Sequence, residues 1–308
     1  MRIGFLTGCL GQVPLEDLVP WAAGQGFRAL EVSAWPLANE RDFAGSSIDV
    51  ARLDKAGAER IKSLFAAHGM VISSLAYYDN NLDRDPAKRA FYHDHLRKVI
   101  DAAALLGVDL VGTFVGRDIT KTIAENMKEF ARVFPPLVKY ARDKGVRLMI
   151  ENCPMEGWQA PGQPGNCAYS PELWREMFRL VPDEDFGLNY DPSHLYWQQI
   201  DYLAPIREFG SRIFHTHAKD TEILEDRLNA TGIFGPQLAA AGHGEGWWRY
   251  RMPGLGEIDW RAFVGALGDI GFNGAVSIEH EDPLWGGSEE KTRKGLILGY
   301  RCLSQFVA

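Results

Sequence analysis

The sequence predicts an α/β fold: a single closed (β/α)8 barrel, with residues 1–308 as one domain and a long loop after the seventh strand. Three observations predict it. Short β-branched or apolar runs alternate with longer amphipathic runs from end to end, and the count reaches eight. No strong Pro/Gly/Ser linker divides the 308 residues, a length that one barrel of about 250 residues with loops accommodates. The first βα turn has no GxGxxG fingerprint, which disfavours an open dinucleotide-binding sheet.

The first strand is "RIGFLTG", followed by a helix over 15–26, the strand "FRALEVSA" and a helix over 50–69 that stops at Gly69. "MVISSLAYY" is the third strand, and a helix from 86 to 106 leads to the fourth, "VDLVGTFVG". A helix from 122 to 144 ends near Gly145 and introduces "VRLMIEN". The second half continues with a helix over 171–180, "DFGLNYD", a helix over 198–208, "SRIFHTHAKD", a helix over 259–270, "GAVSIEHED" and a closing helix over 288–304. Two connections, 152–170 and 221–256, exceed the usual length; both follow strands, as lids and binding loops of a barrel do.

Composition narrows the function. Hydrophobic content of 46% and charged content of 24% are ordinary for a soluble globular chain, and no apolar stretch is long enough to span a bilayer. The opening "MRIGFLTGCL" lacks a signal peptide's apolar run and cleavage site, so a cytoplasmic location is expected. The net charge of −8 and the absence of a dense Lys/Arg run speak against nucleic acid as a partner. Cys9, Cys153, Cys167 and Cys302 have no CxxC spacing and read as reduced thiols; Cys153 is first a loop or core residue.

The chemistry gathers at strand ends. Glu151 closes the fifth strand, Asp191 the sixth, His217 lies near the end of the seventh and Glu279 closes the eighth. Strand ends of one sense converge on one rim of a barrel, so these four deliver three carboxylates and an imidazole to a common point. Taken singly, each acid reads as a helix cap or a lysine partner. Together, several buried acids without a cation would cost several kcal/mol per unpaired charge, and a divalent ion resolves that cost. The oxygen-rich set favours Mn²⁺, with Mg²⁺, Co²⁺ and Zn²⁺ as alternatives.

With "IEN" at Glu151, "DPSH" at Asp191 and His194, "HAKD" at His217, "PGLGEIDW" from Pro253 and "IEHED" at Glu279, nearly the whole chain resembles the xylose-isomerase-like TIM-barrel superfamily. That group includes D-tagatose 3-epimerases, hydroxypyruvate isomerases, inosose dehydratases and endonuclease IV. The resemblance implies one divalent metal held by Glu151, Asp191, His217 and Glu279, with Glu151 and Glu279 also the catalytic acid–base pair. It further implies that His194 contacts a substrate oxygen and that Arg251, just before "PGLGEIDW", contacts substrate. A homo-oligomer is compatible with it. Endonuclease IV needs extra rim histidines, and "SLAYY" and "GTFVG" supply none.

The remaining candidates are read from position. Glu31 ends the second strand, where substrate contact and a salt bridge are equal readings. Lys219, with Asp220, reads equally as a solvated ion pair and a substrate contact. His215 shares the side of His217 but lies deeper, as a packing or supporting residue. Trp35, Tyr77, Tyr78 and Trp197 read first as core, while Trp247 and Trp248 in the long loop are candidates to stack on sugar C–H faces.

The function expected is a divalent-metal-dependent sugar isomerase or epimerase that abstracts a proton next to a carbonyl and passes through an enediolate. A lyase or dehydratase acting on a keto-sugar, keto-inositol or 3-keto-glycoside shares that first step and is the alternative. A non-catalytic sugar-binding barrel is the third reading and leaves the acid set unexplained. The 221–256 segment is longer than in small epimerases, a departure that a bulkier or oxidised sugar would account for.

Overall fold

The computed structural model describes residues 1–37, 45–160, 162–238 and 246–307. In chain order the elements are β1 (Arg2–Leu6), α1 (Leu15–Gln25), β2 (Ala29–Ser33), α2 (Lys55–Ala67), β3 (Val71–Ala76), α3 (Pro86–Leu106), β4 (Leu110–Thr113), α4 (Ile123–Asp143), β5 (Arg147–Glu151) and α5 (Pro171–Leu180). There follow β6 (Phe186–Tyr190), α6 (Pro192–Trp197), α7 (Ala204–Glu208), β7 (Ile213–Ala218), β8 (Asp220–Ile223), α8 (Glu225–Thr231), β9 (Trp248–Arg251), α9 (Trp260–Asp269), β10 (Ala275–Ile278) and α10 (Glu289–Leu303).

Eight of these strands close a ring in the order β1-β10-β7-β6-β5-β4-β3-β2. Strand β1 pairs in parallel with both β10 and β2, so the ring has no edge. The predicted barrel is therefore present, its seventh and eighth strands being β7 and β10. Helices cover the outside and side chains fill the inside, which is why β2, β4 and β6 are buried along their whole length. Phe130 and Phe134, on the sheet-facing side of α4, pack ring to ring with Phe186 of β6 between helix and sheet.

The helix boundaries follow local chemistry. Asp85 caps α3 by accepting from the Ala87 backbone N–H at 2.8 Å, with Pro86 at the first helical position. Thr122 and Glu125 form a capping box at the start of α4. The predicted helix from residue 50 begins later, at Lys55, because Asp54 accepts from the Gly57 N–H at 2.7 Å and sets the first turn there.

Two departures shape the site. The helix expected over 198–208 is replaced by α6, which starts directly after β6 because Asp191 caps it and Pro192 suits its first position, and by the short α7. The seventh strand, expected to run through Asp220, stops at Ala218; Asp220 instead opens β8, which pairs antiparallel with β9 outside the ring. The turn is anchored by the Asp220 carboxylate, which accepts from the Gly254 and Ile258 backbone N–H groups and the Trp260 indole, at 2.9, 2.9 and 2.8 Å. "PGLGEIDW" is thus the loop that wraps Asp220, and a Cβ at Gly256 would lie 2.4 Å from its Oδ1. Part of the predicted long loop, 239–245, lies outside the described residues. Among the described residues no helix is long and apolar enough to cross a membrane.

Candidate active site and metal centre

Glu151 is the last residue of β5, Asp191 and Glu279 each follow a barrel strand by one position, and His217 is the penultimate residue of β7. One ligand atom from each lies within 4.8 Å of the other three. Asn152 joins the ends of β5 and β6, donating to the Asp191 carbonyl at 2.8 Å and accepting from the Asp191 N–H at 2.7 Å. Asp191 is divided in its duties: Oδ1 caps α6 through Ser193, while buried Oδ2 has no hydrogen-bond partner.

His217 is oriented from behind. Its Nε2 lies 2.8 Å from Oε2 of Glu31, whose other oxygen accepts from the Tyr78 hydroxyl at 2.6 Å. Burial alone would raise the Glu31 pKa, but the charges of His217 and His215 and these hydrogen bonds bring it down to about 2. Nδ1 faces the acids, 3.1 Å from Glu279 and 3.4 Å from Glu151, buried and without a hydrogen bond; burial opposes a charge on this ring, but Glu31, Glu279 and Glu151 raise the His217 pKa well above its ordinary value. Asn189 donates to the same Tyr78 hydroxyl at 2.7 Å, and Tyr78 reaches this position because β4 carries Gly112, where a Cβ would lie 2.4 Å from it.

This arrangement fits a divalent cation. Buried Nδ1 and Oδ2 atoms lack partners beside two further carboxylates, and the imidazole is held through its far nitrogen by a carboxylate, as metal-bound histidines usually are. A second cluster, Glu31, His215 and His217, brings donors as close. There the His215 nitrogens are engaged, Nδ1 with Asn189 at 2.9 Å and Nε2 with Ser73 at 3.1 Å, so that cluster is the support of the first.

Charge crowding is evident in the acids. Burial and the charge of Glu279 push Glu151 up to about 8, and burial, opposed by Lys219, takes Asp191 to about 6. Glu279 is the low member: burial opposes its ionisation, but Lys219 and His217 hold it well below the usual carboxylate range. Lys219 is buried, its Nζ 2.5 Å from Glu279, 2.9 Å from Glu281 and 3.4 Å from Asp191, and it sits over the Tyr250 ring at 4.3 Å. It is therefore not a solvated pair. His194 is also buried, with Nε2 at 3.2 Å from Glu151 and Nδ1 at 2.8 Å from the Tyr250 hydroxyl. Burial raises Cys9 to about 12 and Cys153 well above its usual value, so neither thiol is a ready nucleophile.

Several expected contacts fall elsewhere. Glu31 lies buried behind His217 instead of at a substrate-facing rim. The guanidinium of Arg251 is held by Glu222 and by Asp282, the latter at 2.9 Å, and ties β9 to the loop after β10. Trp247 is buried, donating its indole N–H to the Ile233 carbonyl, and Trp248 stacks on Trp197 with ring centroids 4.7 Å apart. These tryptophans consolidate the β8–β9 hairpin. The apolar wall of the cavity over the acids comes instead from Leu6, Trp35, Tyr78, Phe114 and Met155. Sequence reading missed Asn189 and Tyr250. Asn189 was recoverable, since alternation places it on the same side of β6 as Asp191; Tyr250 was not, because its place depends on the hairpin.

Residues 19–301 match the sequence model of the xylose isomerase-like TIM barrel. The chain is 28% identical to the uncharacterized protein YfiH of Bacillus subtilis over 306 residues, 92% of this chain and 93% of that protein. Among solved structures it is similar to an IolI protein with a bound zinc atom, at a TM-score of 0.72 and 19% identity over 100% of both chains. It is also similar to D-psicose 3-epimerase with D-tagatose from Clostridium cellulolyticum H10, at a TM-score of 0.69 and 17% identity over 99% of both chains.

Proposed function

The chain belongs to the xylose isomerase-like TIM-barrel family, and from that premise we propose that it is a divalent-metal-dependent isomerase or epimerase acting on the carbon next to the carbonyl of a keto-sugar. The observation that carries the reading is the convergence of Glu151, Asp191, His217 and Glu279, in which buried His217 Nδ1 and Asp191 Oδ2 have no hydrogen-bond partner. These four residues would hold the ion, Mn²⁺ being favoured by the oxygen-rich set. When bound, it supplies Lewis-acid polarisation of the substrate carbonyl.

The chain's own groups do the rest. Glu279 and Glu151 face one point from the ends of two strands, which suits one carboxylate to take the α-proton as the C–H electron pair moves toward the carbonyl oxygen and the other to return a proton to the same carbon. His194 binds a substrate oxygen, positioned through its other nitrogen by Tyr250. The structure of D-psicose 3-epimerase with D-tagatose, a ketose, supports the substrate class.

Lys219 favours a second reading. A buried ammonium 2.5 Å from Glu279 and 2.9 Å from Glu281 would offset the charge on a β-oxygen leaving the same intermediate, the proton taken by Glu279 passing to that oxygen, which would make the enzyme a lyase. Incubation of metal-loaded protein with keto-sugars in D₂O tests both readings: deuterium at the α-carbon of sugar marks the first, an unsaturated or cleaved product the second.

A further inference from the structure

We propose that the groove between α3 and α4, on the outside of the barrel, is a binding site for an organic phosphate, whose charged end is held by arginines and whose apolar part lies along the helix flanks. The proposal is independent of the chemistry assigned to the four-donor site. The groove has a volume of about 570 Å³, within the range of roughly 300–1,000 Å³ typical of small-molecule sites. It shares no lining residue with the cavity over the acids.

Charge gives the ligand its class. Arg89, Arg97, Lys121 and Arg132 line the groove against one acid, Glu129, in a chain whose net charge is −8. Arg89 and Arg132 converge on a single oxygen of that acid, Oε2, at 3.0 and 2.7 Å. One carboxylate oxygen does not satisfy two guanidinium groups, each of which carries five N–H donors. Arg97 makes no ion pair among the described residues, its guanidinium lying 6.0 Å from the centre of the Tyr140 ring. Lys121 is offset in part by Asp118, 3.5 Å away, which does not line the groove. Cations gathered in this way repel one another, and an anion seated among them removes that cost. The guanidinium fork matches phosphate oxygens two at a time, which makes phosphate the fitting anion.

The cations are set in place by the fold. Arg89 donates its Nε–H to the Asp83 carbonyl at 2.8 Å, and Nε2 of His93 meets the Asn81 carbonyl at 3.0 Å, so the loop before α3 orients both side chains that face the groove. A preorganised site loses less conformational entropy when a ligand binds. Pro86, Ala90 and Pro136 present exposed apolar surface in the same groove. A bare phosphate leaves that surface in water, whereas an attached ring covers it.

Isothermal titration calorimetry of the full chain, in buffer without added metal, tests the site with ADP, pyrophosphate and adenosine as probes. ADP should bind with a Kd below about 1 mM, pyrophosphate more weakly, and adenosine without measurable heat. Arg97→Ala and Arg132→Ala, both at exposed side chains, should each weaken ADP about tenfold or more, the usual effect of losing a charge-assisted hydrogen bond, with the melting temperature unchanged. Arg52→Ala, outside the groove, and Asp191→Asn, at the four-donor site, should leave ADP affinity as it is. Absence of binding by every probe, or an ADP affinity unchanged in both groove variants, overturns the site. Loss of ADP binding in Asp191→Asn alone places the ligand at the acids and overturns it as well. Pyrophosphate binding as tightly as ADP overturns the organic part of the assignment, and an oligoglutamate peptide that displaces ADP more readily than pyrophosphate does overturns the phosphate part.

Discussion

Nε2 of His217 lies 2.8 Å from Oε2 of Glu31, joining side chains 186 residues apart in sequence. The strands that carry them, β7 and β2, are separated around the ring by β10 and β1. The contact passes through the barrel interior and fixes which ring nitrogen faces Glu151, Asp191 and Glu279.

Glu31→Gln should therefore weaken the metal site without touching any of its four donors. An amide holds the Nε2 proton less strongly than a carboxylate, and loss of such a supporting group typically costs about 10–100-fold in metal affinity. Calorimetric titration with Mn²⁺ measures this directly. Unchanged affinity would mean that Glu31 is only a packing residue.

Replacing either Glu151 or Glu279 by Gln should lower kcat by about 10²–10⁴-fold, the usual contribution of a positioned acid or base. Circular dichroism should remain that of the parent. Glu151→Gln should be at least as stable as the parent in the absence of metal, because it removes one of three crowded carboxylates.

Metal should stabilise the fold. At a free ion concentration of 100 Kd the linkage is about 2.7 kcal/mol, read as a rise in the melting temperature that a chelator reverses. Asp191→Asn should abolish most of that rise. A melting temperature indifferent to Mn²⁺, Zn²⁺ and chelator would count against the ligand set.

Tyr250→Phe should keep metal affinity and lower kcat about tenfold, since it removes the hydrogen bond that orients His194 and leaves the ring that Lys219 packs against. Tyr250→His, if it restores a donor or acceptor at that place, should recover part of the loss. A change in metal affinity equal to the change in kcat would place Tyr250 in support of the ion instead.

Away from the site, His95 gives a pH signature. Its Nε2 meets the Ala34 carbonyl oxygen at 2.8 Å, and burial holds its pKa below the ordinary 6.5. A depressed pKa contributes stability that is full above the unfolded value and is lost as pH falls through the folded one. In urea denaturation His95→Gln, which keeps a donor for Ala34 and does not titrate, should lose less stability, or gain more, than the parent as pH falls below 6.5.

Much of this was legible in the sequence because barrel strands impose period two and a common exit rim. Placing Glu151, Asp191, His217 and Glu279 at successive strand ends needed only those two rules. The same alternation that aligns His215 with His217 also carries Lys219 inward, so its burial was recoverable from "HTHAK". Glu31 and Tyr78 were harder to read, since their roles depend on β2, β3 and β7 facing one another across the interior. The engagements of Arg251 and Trp247 were not legible because the residues that meet them, Asp282 and Ile233, come from separate segments after β10 and α8. No local pattern encodes the partner of a side chain on an inserted hairpin.

The most direct test of the central claim is proton NMR in D₂O with Mn²⁺-loaded enzyme, removed before spectra are taken, across keto-sugars and keto-glycosides, beside a chelated control. Metal-dependent deuterium at the carbon next to the carbonyl, abolished in Glu151→Gln and Glu279→Gln, is the predicted result. Exchange that persists in the chelated control or in both variants would contradict the assignment of this chemistry to the four-donor site.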